Sequence, residues 1–114
     1  MKLLLKITSL AVLTFSLFAA DLAGTWRGSM NTQMGQTGIA IIFQPGTALT
    51  GKVEAGEYGG PIEDAKLEGD NISFVANIGP GTLKFKGTVA GDEMKLAVTG
   101  TQGDQYKLVC KRQK

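Results

Sequence analysis

The sequence predicts an all-β domain: an eight-stranded antiparallel up-and-down meander closed into a barrel. Three observations predict it. Apolar and polar residues alternate with period two in eight separate runs, the spacing that gives each strand one apolar face. Sixteen glycines against three prolines punctuate those runs at short intervals, so every connection suits a hairpin between sequence neighbours. No stretch of the folded part carries a helical period long enough to compete. Eight one-sided strands bury their apolar faces most economically by curling until both sheet edges disappear. A two-sheet β-sandwich uses the same pattern and is the alternative.

The runs follow in order. The first, Leu22 to Met30, puts Leu22, Trp26 and Met30 on one face and Arg27 and Ser29 on the other. The second, Gly38 to Gln44, aligns Ile39, Ile41 and Phe43. In the third, Leu49, Gly51 and Val53 alternate with Thr50, Lys52 and Glu54. The fourth, Ile62 to Glu68, is the least regular. The fifth aligns Ile72, Phe74, Ala76 and Ile78, and the sixth Leu83, Phe85, Gly87 and Val89. The seventh carries Met94, Leu96 and Val98, and the eighth Tyr106, Leu108 and Cys110.

Two stretches, "KLEGDNISF" and "TVAGDEMKL", share a Gly-Asp pair between apolar positions. Gly-Asp as a two-residue loop suits a II′ or I′ hairpin turn. That register faces Leu67 with Ile72 and Val89 with Met94, so each apolar pair falls on one face. We read these as two instances of one common hairpin and not as a repeat. Gly28, Gly51 and Gly87 fall on inward faces, where glycine permits the sharp coiling of a small barrel.

Successive loops of a meander alternate between the two ends. Loops 45–48, 69–70 and 91–92 share one end with both termini. Loops 31–36, 56–61, 79–81 and 100–104 share the other, and their composition, as in "NTQMGQ", "GEYGGP" and "TQGD", is polar and glycine-rich. The first end is expected to be plugged; the second, with longer loops, is expected to be an open mouth.

Residues 1–20, MKLLLKITSLAVLTFSLFAA, read as a signal peptide. Lys2 and Lys6 form the positive region, Ile7 to Phe18 is an uncharged apolar run, and Ala19 and Ala20 offer small residues for cleavage. Phe18 at the −3 position is imperfect, and an uncleaved anchor is the alternative. No cysteine directly follows the apolar run, so a lipid anchor is not supported. The expected location is exported, periplasmic or secreted, with no membrane attachment after cleavage.

The remaining domain, 21–114, is one domain by size. Setting aside Lys2 and Lys6 leaves ten basic residues against ten acidic ones. This neutral sum offers nothing to favour nucleic acid or an anionic membrane. Cys110 is the only cysteine, which excludes an intrachain disulfide, and it reads as a small hydrophobe in the last strand. The absence of histidine removes the usual general base and zinc ligand. With no nucleophile pair or metal set either, no catalytic residues, metal or cofactor are expected. Asp70, Asp92 and Glu93 read as turn residues, too few to converge on calcium.

The motif Gly24-Thr25-Trp26 near the start of the first run, with "ALTGKV" at 48–53, resembles the calycin group of lipocalins and avidins. The chain is similar to small exported bacterial lipocalin-like domains. The resemblance implies an eight-strand barrel whose tryptophan closes the floor beneath an arginine from the last strand, here Trp26 and Arg112. It also implies a small-molecule site at the other end. The chain departs from avidins in having one tryptophan, and from lipocalins in being much shorter. An eight-strand barrel has room for side chains or one small ligand, and Trp26, Met30, Phe43, Phe74, Phe85 and Tyr106 are bulky enough to fill it.

The candidate ligand-binding residues at the open end are Met30, Met34, Tyr58, Glu63, Asp64 and Ile78. In "PIED" the hairpin register turns Glu63 inward; placing Ile62 inward instead needs a bulge and turns Asp64 inward. The plainer alternative is an acid at a solvated strand end. Tyr58, flanked by glycines, is either an exposed loop aromatic or a lid. The expected function is an exported barrel binding a small apolar or amphipathic ligand at its open end. The alternative is a filled, ligand-free structural or interaction module, whose protein partner the sequence does not name.

Overall fold

The computed structural model describes residues 19–32, 35–79 and 81–113. A short 3-10 helix, Ala19–Leu22, leads into eight strands: β1 Gly24–Thr32, β2 Gly35–Phe43, β3 Gly51–Ala55, β4 Tyr58–Glu68, β5 Asn71–Ile78, β6 Gly81–Ala90, β7 Glu93–Thr99 and β8 Gln105–Arg112. Each strand pairs antiparallel with the next, and β1 pairs with β8 from Trp26↔Arg112 to Ser29↔Val109. The sheet is a closed up-and-down barrel, and closure excludes the sandwich. Of the expected signal peptide, residues 1–18 lie outside the described residues.

The hairpin chemistry sets the register as expected. Leu67 faces Ile72 and Val89 faces Met94. Gly69 and Gly91 take φ of +60° and +62° as the first residues of their two-residue turns. Their Asp partners stay at negative φ, which is the II′ pattern.

The expectation of mostly longer loops at the mouth holds for 100–104 and is overturned for the other three. β1 runs through to Thr32↔Gly35, leaving only residues 33–34 between β1 and β2. β3 and β4 pair up to Ala55↔Tyr58 around Gly56-Glu57, with Gly56 at φ +62°. Polar, glycine-rich segments such as "GEYGGP" extend the strands, because cross-strand backbone hydrogen bonds need no apolar alternation. Only the connections 44–50 and 100–104 exceed two residues.

In β4 the bulge that an inward Ile62 requires is present, and neither acid turns inward: both are solvated, as the plainer alternative had it. Ile62 pairs with Ala76 on the inner face, and the register shifts between Glu63 and Lys66, so that Asp64 and Ala65 together face Phe74. This is a β-bulge, and it absorbs the odd residue of the irregular fourth run. Asp64 occupies the left-handed region at φ 52° and is exposed, a conformation aspartate tolerates better than most residues. Ala65 and Leu67 then resume the inner face. Glu63 is exposed as well, and no polar or charged residue is buried among the described residues.

Side chains fill the lumen. Phe43 meets Phe74 edge-on at 5.8 Å between centroids, and Phe74 stacks on Phe85 at 4.7 Å. Ile41, Val53, Leu96, Val98, Leu108 and Cys110 pack around these rings. The sheet coils tightly enough that inward glycines are obligatory. A Cβ on Gly87 would lie 1.8 Å from the Lys95 carbonyl oxygen, and Gly28, Gly51 and Gly60 meet neighbouring backbone in the same way.

The floor is closed by the N-terminal segment. Leu22 and Trp26 are fully buried, and the Trp26 indole N–H donates to the Leu22 carbonyl at 3.0 Å. Arg112 lies opposite Trp26 in the β1–β8 register, its guanidinium 4.5 Å from the ring centroid. The same guanidinium donates to the carbonyls of Asp21 (2.8 Å) and Ala23 (3.1 Å) and pairs with Asp92 at 2.9 Å. One side chain thus ties together the plug, the last strand and the β6–β7 turn.

Candidate functional site

One side of the barrel end opposite the floor is built by β5, β6 and the β7–β8 loop. Ile78 closes β5 on the inner face and pairs with Gly81. Because Gly81 has no side chain, the following loop folds down over it: a Cβ there would lie 2.4 Å from the Thr101 hydroxyl oxygen. That hydroxyl accepts from the Thr82 amide at 3.1 Å. Within the loop the Gly100 amide donates to the Asp104 carbonyl at 2.7 Å, and the Gly103 amide to the Gly100 carbonyl at 3.1 Å. The loop is a compact bracket held by its own hydrogen bonds.

Between this bracket and the strand ends lies an open depression of about 570 Å³. Ile78, Leu83 and Tyr106 supply its apolar surface, and Thr101, Gln102 and Asp104 its polar edge. The volume falls within the roughly 300–1,000 Å³ of small-molecule sites. The Tyr106 hydroxyl donates to the Asp104 carboxylate. That bond holds the Asp104 carboxyl below its usual range and pushes the Tyr106 phenol above its own, because it favours the carboxylate and the neutral phenol together. On the outer side the wall is braced by a relay: Thr82 Oγ1 donates to Asn77 Oδ1 at 2.8 Å, and Asn77 Nδ2 donates to Glu63 at 3.0 Å.

The sequence-expected residues are only partly brought together. Ile78 lines the depression. Met30 is 7 % exposed and belongs to the core cluster. Tyr58 is the first residue of β4 and not a loop residue; it is 54 % exposed. Its ring lies against Gly79, where an added Cβ would come within 2.5 Å of it. Glu63 braces the outer wall through Asn77, and Asp64 sits at the bulge. Met34 lies outside the described residues. Among the described residues, Ile78 lines this depression and Met30 and Tyr58 do not.

Sequence reasoning missed Leu83, Thr101 and Asp104. Leu83 was legible as an inward residue near the end of its strand. The bracket was not, because its position depends on the missing side chain at Gly81. Cys110 is fully buried, and burial pushes its thiol up to about 11, which leaves it protonated and unreactive near neutrality. Among the described residues no three His, Cys, Asp or Glu side chains group as metal ligands.

Comparison with family models, with curated proteins and with solved structures returns no match. The barrel itself is compatible with a calycin-like fold, and that compatibility rests on topology alone.

Proposed function

We propose that the protein is an exported calycin-type barrel that binds a small apolar or amphipathic molecule at its open end. The ligand sits on the rim, over Ile78, Leu83 and Tyr106, and not inside the lumen. The carrying observation is the 570 Å³ depression, which combines an apolar floor with a few polar groups on one edge, the usual make-up of a small-molecule site. The phenylalanines below it leave the lumen to side chains, so a deep lipocalin-style pocket is not the reading. Tyr58, exposed beside Gly79, offers a second apolar surface at the same rim. Export is supported by the apolar run after Lys2 and Lys6. The same filled lumen favours a second reading, a ligand-free interaction module.

Native mass spectrometry of protein purified from its own host separates the two. The expected result is a retained small molecule that is lost in Leu83→Gln, with near-ultraviolet circular dichroism unchanged. A bare chain mass for the wild type, with no binding of the apolar probe N-phenyl-1-naphthylamine, would overturn ligand binding in favour of the interaction module.

A further inference from the structure

The neutral charge sum conceals a segregation that only the strand register brings out. The outer faces of β6, β7, β8 and β1 carry Lys84, Lys86, Lys95, Lys107, Lys111 and Arg27, all exposed, against a single acid, Glu93. The β3–β4 side carries Glu54, Glu57, Glu63, Asp64 and Glu68 against Lys52 and Lys66. Among the described residues, none of those six cations forms an ion pair.

The cations also cluster. Lys95 pairs with Thr88 on one side and Val109 on the other. Lys86, Lys107 and Lys111 are therefore its diagonal neighbours on one face, at about 7–8 Å. Arg27 faces Lys111 directly across the β1–β8 seam, a placement of like charges that destabilises the sheet by itself. At the centre of the ring are two small apolar side chains, exposed Ala97 and Val109, the latter 43 % exposed.

We propose that this β7–β8 outer face docks on an anionic lipid bilayer. An apolar centre ringed by cations matches the headgroup layer, where phosphates meet the first apolar atoms. Lysines serve as flexible point charges and need no bidentate geometry. Clusters of four to eight basic residues suffice for electrostatic binding to anionic lipid, each contributing about a fivefold gain. The acidic β3–β4 side points away from the lipid, so a chain with no net charge still docks in one orientation.

The test is partitioning of the full chain onto phosphatidylcholine vesicles with and without phosphatidylglycerol. The readout is the anionic-to-zwitterionic ratio, to which residues 1–20 contribute equally in every variant. Lys95→Ala is expected to lower that ratio by about fivefold. Lys52→Ala makes the same change in net charge on the acidic side, where Lys52 pairs with Glu54, and is expected to leave it nearly unchanged. The wild-type preference should vanish at roughly 1 M salt, where screening reaches about 3 Å. Equal losses in the two variants, or no anionic preference in the wild type, would overturn the proposal. Binding to a soluble polyanion such as dextran sulfate, without binding to vesicles, would overturn it in favour of a polymer partner.

Discussion

Arg112 is the side chain whose loss should loosen the barrel floor most selectively. In Arg112→Met the aliphatic stem remains and the guanidinium goes. Four contacts disappear: the Trp26 ring face at 4.5 Å, the Asp21 and Ala23 carbonyls, and the Asp92 carboxylate. The ring contact is worth about 1 kcal/mol at a partly desolvated site. The part-buried Ala23 carbonyl loses a charged donor, about 1.5 kcal/mol, and the more exposed Asp21 carbonyl loses less. The Asp92 pair is half in solvent and contributes at most about 0.5 kcal/mol. Together the loss is about 3 kcal/mol, or a fall in Tm of roughly 12–20 °C for a domain of this size. Urea melts followed by Trp26 fluorescence measure it, with an unchanged slope if the unfolded state is unaffected. Arg112→Lys keeps the charge but loses the planar fork, and should recover less than half. Asp92→Asn should cost under about 0.5 kcal/mol. An Arg112→Met variant within about 0.5 kcal/mol of the wild type, a change no larger than an ordinary surface substitution, would show that the guanidinium does not hold the floor.

Three further outcomes follow. Gly87→Ala forces backbone apart at a 1.8 Å contact with the Lys95 carbonyl, and should cost on the order of 3 kcal/mol in the same melts. The Cys110 thiol, raised from 9.0 to about 11 by burial, should resist Ellman's reagent in the folded protein at pH 8 and react at once in denaturant. The sign of its linkage is that of a folded state holding its proton longer, so its contribution is full below pH 9 and is lost between pH 9 and about 11. The stability difference between wild type and Cys110→Ala should shrink across that window. At the mouth, Asp104→Asn should return the Tyr106 phenol from its raised position towards the ordinary value of 10.0, read by ultraviolet titration of phenolate.

The fold was legible because its determinants are local. Gly69-Asp70 and Gly91-Asp92 each demand a two-residue turn, and once the turn is placed, period-two alternation leaves one register that buries Leu67 with Ile72 and Val89 with Met94. The floor was legible too, since strand order alone sets Arg112 beside Trp26. The fourth strand was not. Its bulge at Asp64 exchanges strict alternation for an extra residue, and alternation cannot say which residue is extra. The polar ends of β1 and β4 looked like loops because backbone pairing leaves no mark in side-chain polarity. The depression was hidden for a different reason: it arises where Gly81, Leu83, Thr101 and Tyr106 converge from two hairpins. The basic face is likewise a property of register, since summing charges along the chain cancels it.

A ligand seated on the rim over a filled lumen is detected by methyl and aromatic NMR during titration with N-phenyl-1-naphthylamine. Rim binding requires shifts at Ile78, Leu83 and Tyr106, with Phe43, Phe74, Leu108 and Trp26 unmoved and tryptophan emission unchanged. Shifts centred on Phe74, Phe85 and Leu108, showing that the lumen opens to the probe, or saturating probe with no shift at the rim, would contradict it.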